Sequence, residues 1–134
     1  DYAVTGVQTC ALPIWTRLFS IYAAANFIEA TRDTPYFQIG ESKYGKPILD
    51  RVVTTRSSLE EAAKCALISM DSTIRSNLSV GTPLDLLTYE TDAFRVREHV
   101  SIAQDDDYFF SIRTQWGERL RQVFAELPNP EWKR

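Results

Sequence analysis

The stretch from Ser58 to Glu90 reads SLEEAAKCALISMDSTIRSNLSVGTPLDLLTYE, and its two halves carry different periods. Ser58 is followed three residues later by Glu61, the spacing at which a hydroxyl and a carboxylate cap a helix start reciprocally. Behind them Leu59, Ala63, Ala66, Met70 and Ile74 recur every three or four residues, the repeat of one helix face. Ala62, Cys65 and Leu67 widen that face, so the helix is expected to lie against a sheet or a second helix. The pattern fades at RSNLSVGTP, which reads as a loop. Then LDLLTYE changes period. Leu84, Leu86 and Thr88 alternate with Asp85, Leu87 and Tyr89, as in a strand with both faces at least partly covered.

Downstream, FRVREHVSI alternates Phe94 and Val96 with charged residues and pairs with the preceding strand across the turn TDA. The acidic run Asp105–Asp107 in AQDDDYFF stands where a helix N-terminus favours negative charge. Phe109, Ile112, Trp116, Leu120, Val123 and Leu127 then form one helical stripe, from which Arg113, Arg119 and Arg121 fall away. PNPEWKR ends that helix. Upstream, RLFSIYA and NFIEAT read as a strand and its return, joined by AAA, a turn with no residue tolerant of positive φ except Asn26. PYFQIG reads as a third short strand ending at Gly40. Pro47 is tolerated only in a helix's first turn, so a helix is expected to begin near Gly45 or Lys46. The order is three strands, two helices, two strands and a helix. The fold class is therefore α+β, with helices packed on antiparallel strands.

At 134 residues the chain is one domain or part of one, and 44% hydrophobic with 25% charged residues disfavours disorder. A net charge of −3 lacks the basic surplus that marks a nucleic-acid partner. No apolar run approaches the roughly 18–20 residues that cross a bilayer. Asp1 leads the chain, so no basic signal-peptide start is present, and a cytoplasmic location is expected. Cys10 and Cys65 make no disulfide or metal pattern.

The residues with chemical potential are few. His99 is the only histidine and has no neighbouring cysteine, so a structural or surface role is expected and no metal site. Asp105, Asp106 and Asp107 cannot all face one ion from a helix start, which favours capping. Ser42-Lys43 has the composition of a serine–lysine dyad but not its geometry, since adjacent side chains rarely face each other. DSTIRSNLSVG gathers Asp71, Ser72, Thr73, Ser76, Asn77 and Ser79 in a loop between buried elements. Its hydroxyls and amides can satisfy helix-end carbonyls, or they can line an active site.

TPYFQIGESKYGKPILDR, EEAAKCALISMDSTIRSNLSVGTPLDLLTYE and QWGERLRQVFAELP together resemble the ancestral β-subunit family of bacterial proteasome-like peptidases, often called Anbu. The likeness runs from about Leu18 to the end of the chain. It implies the C-terminal portion of an N-terminal-nucleophile hydrolase fold, two stacked antiparallel sheets between helix layers (αββα). It also implies hydrolysis of peptide bonds by an N-terminal threonine whose own α-amine is the base, tuned by an aspartate and a lysine. Those three residues would lie upstream, so residues 18–134 are expected to be inactive by themselves. By the same resemblance Ser42, just after Ile39-Gly40, is a supporting site residue. Ser79 matches the serine of an Arg-Asp-x-x-Ser-Gly signature, in which Ser76 replaces the aspartate and Val80 precedes the glycine. The resemblance further implies homo-oligomers in which the helices after the third strand face neighbouring subunits, a peptide or protein substrate, and no cofactor. The alternative is a non-catalytic α+β module for self-association.

The segment VTGVQTCALPI, from Val4 to Ile14, resembles the one-frame translation of a reverse-complemented sequencing adapter. Residues 1–17 are accordingly read as a non-native leader, and Thr5 and Cys10 take no part in function. Without the upstream half, exposed sheet edges are expected to make the polypeptide poorly soluble.

Overall fold

A computed structural model describes residues 17–40 and 42–132, so the adapter-like segment lies outside the described residues. Seven elements follow one another: β1 (Phe19–Ile21), β2 (Phe27–Glu29), α1 (Lys46–Val52), α2 (Leu59–Ser76), β3 (Leu84–Tyr89), β4 (Val96–Ile102) and α3 (Asp107–Glu126). The α+β class holds. β1 pairs antiparallel with β2, and β3 with β4, as two separate hairpins.

The core is built where α2 and α3 cover one face of the β3–β4 hairpin. Leu84 stands opposite Ile102 in the strand register, which sets both side chains on one face. Leu67 from α2 and Phe109 from α3 close over them, flanked by Met70, Ile74, Leu86 and Ile112. Phe109 is completely buried. The capping box forms as its spacing requires: the Ser58 hydroxyl accepts from the Glu61 amide, and the Glu61 carboxylate accepts from the Ser58 amide. At the start of α3 the Asp106 carboxylate accepts from the Phe109 amide, so the acidic run serves as a cap.

Four expectations are corrected. PYFQIG is not a strand; it crosses the surface irregularly and is tied down by its side chains. The Tyr36 hydroxyl donates to Asp50 of α1 at 2.6 Å, and the Gln38 amide donates to the Tyr44 carbonyl. The positive φ of the AAA turn falls on Ala25 (63°), not Asn26, because the hairpin register places that residue at the bend. DSTIRS is not loop, since α2 continues to Ser76. There Ser72 and Thr73 bond back to the carbonyls of Ile68 and Ser69 and so satisfy their hydroxyls within the helix. Finally, β3 is covered on one face only. Leu87 on its other face is 57% exposed, because no described element packs there.

α2 is the central element. Cys65, Ser69 and Thr73, spaced by four, are buried on its α1 side. Leu67, Met70 and Ile74 face the hairpin and α3. Burial pushes the Cys65 thiol above its usual range, so it remains protonated and inert.

Candidate functional site

The three candidate serines stand at two places around α2. Ser42 lies exposed in the turn before α1, its amide bonded to the Gly40 carbonyl. That turn is fixed at Gly45, which has φ 71° and is packed against Ser69 in the middle of α2. Ser76 is the last residue of α2, and Ser79 follows in the loop. From Ser69 to Ser76 the helix advances about 10 Å at its standard rise. Among the described residues no hydrogen bond joins Ser42 to Ser76 or Ser79.

The loop after α2 is organised by Asn77. Its side-chain oxygen accepts from both the amide and the hydroxyl of Ser79, at 2.9 and 2.7 Å. An amide oxygen is neutral and cannot take up a proton as a general base. Ser79 is thus positioned rather than activated. His99, the one imidazole, is on the bare face of the hairpin, with Nε2 4.0 Å from Asp85. Among the described residues no three histidine, cysteine, aspartate or glutamate side chains gather as a metal site.

The buried polar centre is Asp71, which the resemblance does not single out. Its side chain is 4% exposed and bonds Arg113 of α3 at 2.6 Å and Arg75, one turn along α2, at 3.1 Å. Arg113 therefore does not fall away from the stripe; its guanidinium lies over the Phe109 ring and enters the helix–helix junction. Two signals could have found this pair. Arg75 follows Asp71 by four residues, and Arg113 lies four beyond Phe109 and three before Trp116. The junction holds the last two turns of α2 in place and so positions the Ser76–Ser79 loop.

A second polar cluster fixes the Ser42 side. Lys46 donates to Asp50 at 2.7 Å and to the Tyr36 hydroxyl at 3.1 Å. Hydrogen bonds from Lys46 and then Tyr36 hold the Asp50 carboxyl below the usual carboxylate range. A depressed carboxylate contributes its stabilisation above its unfolded value and loses it as pH falls through the folded one. The amide protection of residues 36–40, normalised to intrinsic exchange at each pH, is therefore expected to fall as the pH drops below the ordinary carboxylate range. Asp50→Asn should abolish that acid step and leave the segment weakly protected at every pH.

Between the N-terminal half of α2 and β3–β4 lies an open groove of about 310 Å³, lined mainly by Leu59, Ala63, Leu67, Leu86 and Val100. The Arg97–Glu60 ion pair, 3.0 Å, joins its two walls. The groove offers no nucleophile–base pair. Nothing in the described residues assembles a complete catalytic constellation.

No protein-family model matches the chain, and no curated protein does. Solved structures do. Anbu from Yersinia bercovieri is 58% identical, with a TM-score of 0.83 over 89% of this chain. The chain is a member of the Anbu, or ancestral β-subunit, family. Anbu from Hyphomicrobium sp. strain MC1 matches at 55% identity and TM-score 0.84 over 87% of the chain. Anbu from Pseudomonas aeruginosa, solved as a helical assembly, matches at 55% and 0.82 over 87%. The chain spans 50%, 50% and 48% of those three Anbu chains, respectively. Its two hairpins and three helices thus form part of a proteasome-like N-terminal-nucleophile fold. No helix among the described residues is long and apolar enough to cross a membrane.

Proposed function

We propose that residues 18–134 are the C-terminal half of a cytoplasmic, proteasome-type threonine peptidase that acts on peptides or proteins without a cofactor. The reading rests chiefly on one observation: the chain spans about half of Anbu chains to which it is 55–58% identical. The bare face of β3, with Leu87 exposed, fits a fold whose second layer comes from elsewhere. In this reading an N-terminal threonine hydroxyl attacks the amide carbonyl while the α-amine takes its proton. The amine product leaves with that proton, and water hydrolyses the resulting ester. Ser42, Ser76 and Ser79 support the site from this half and do not attack.

The test is turnover of a fluorogenic peptide amide. The 134-residue chain is expected to release no fluorophore above buffer. The same chain extended upstream to an N-terminal threonine should turn over, and should lose that activity on Thr→Ala at the new terminus. Hydrolysis by the 134-residue chain itself, lost in Ser42→Ala or Ser79→Ala, would overturn the assignment.

Self-association is the second reading, and the solved helical assembly of the Pseudomonas aeruginosa relative favours it. It is compatible with the first, since subunits of a peptidase can also assemble. Soluble assemblies of defined mass in light scattering would support it. A monomer at every concentration would contradict it.

A further inference from the structure

The first half of α3 packs on α2 and the hairpin; in its second half Leu120 borders a cavity beside Pro47, Ile48 and Val52 of α1, and the rest is exposed among the described residues. From Glu118 to Glu126 every residue is exposed. Leu120, Val123, Phe124 and Leu127 nevertheless continue the apolar stripe, at 50%, 55%, 78% and 61% exposure. A run of aliphatic and aromatic side chains on one face, left in water, marks a contact surface rather than a solvated helix end.

Two facts narrow what covers it. The bare sheet face is on the side of β3–β4 away from α2 and α3, so a second layer stacked there does not lie over the helix layer. The stripe is also flanked by a self-complementary charge pair. Arg119 and Glu126 are seven residues apart, about two helical turns, and therefore share one flank. Among the described residues neither makes an ion pair. When two identical helices meet antiparallel about a two-fold axis, like flanks face each other with their order reversed. Arg119 of each copy then stands by Glu126 of the other, while Leu120 meets Leu127 and Val123 meets Phe124 near the axis. A parallel pairing sets unlike flanks together and leaves these charges unmatched.

We infer that the exposed second half of α3 is a self-association surface, pairing antiparallel with α3 of a second copy. The inference deepens the self-association reading by naming the surface and its orientation, and it rests on that reading.

Sedimentation velocity of the 134-residue chain over a concentration series tests it. Val123→Glu and Arg119→Glu should each weaken association, on the order of tenfold or more for the buried apolar position. The reversed pair, Arg119→Glu with Glu126→Arg, should restore it. All of these side chains are exposed, so the circular dichroism of the variants should match the parent. If the parent is monomeric throughout, the self-association reading fails and takes this inference with it. If the parent associates but the single variants do so equally well, or the reversed pair gives no recovery, only the α3 assignment is overturned.

Discussion

Asp71→Ala is expected to destabilise the fold by about 3–5 kcal/mol, the cost of leaving a buried ionic partner uncompensated. The carboxylate is 4% exposed and holds Arg113, whose side chain is only 25% exposed, across the α2–α3 junction. Removing it strands a guanidinium between two helices, above the Phe109 ring. Net stabilities of domains run to about 5–15 kcal/mol, so the loss is a large share of the total. The order of effects within the network is also expected. Arg75 is 61% exposed, so Arg75→Ala should cost under about 1 kcal/mol. Arg113→Ala should approach the Asp71 value, because it leaves the carboxylate buried with one exposed partner. Asp71→Leu combined with Arg113→Met should recover most of the loss, since an apolar pair of similar volume needs no compensation. Urea midpoints of the four variants check the series. A cost for Asp71→Ala no larger than that for Arg75→Ala would show that the junction is held by apolar packing alone.

Where the sequence was legible, local chemistry and burial agreed. Ser58 and Glu61 cap the helix their spacing announces, and Leu84 and Leu86 face inward as their alternation requires. Asp106 caps α3, as the acidic run suggested. The failures lie where a side chain's partner is remote in sequence. DSTIRS is rich in residues that favour turns, yet it remains helical because Asp71 finds Arg113, 42 positions away. PYFQIG has the composition of a strand but finds no partner strand among the described residues; Tyr36 instead anchors it to Asp50 on α1. A strand pattern predicts pairing only when the pairing partner is within reach. The candidate site was legible only as positions: Ser42, Ser76 and Ser79 carried a family likeness, but no spacing in the sequence placed a base beside any of them.

Gly45→Ala is the other change expected to have a large effect, and it separates a backbone requirement from a side-chain one. Gly45 has φ 71°, which costs a residue with a Cβ roughly 1–2 kcal/mol. A Cβ there would also meet both the hydroxyl and the carbonyl oxygen of Ser69 well inside van der Waals contact. Overpacking of this kind adds about 1–3 kcal/mol, so the sum is about 2–5 kcal/mol. Gly40 is the useful comparison. Its φ is 74°, but a Cβ there meets nothing, so Gly40→Ala should show the conformational cost alone. Ser69→Ala removes the hydroxyl contact but leaves the carbonyl, which belongs to the backbone of α2. It should therefore rescue Gly45→Ala only in small part. The structural consequence is directional. α1 must lift from α2, carrying Lys46 and Asp50 with it, so residues 36–44 should lose amide protection while Leu67 and Phe109 keep theirs. Equal loss of stability in Gly40→Ala and Gly45→Ala would mean that the close approach to Ser69 contributes nothing.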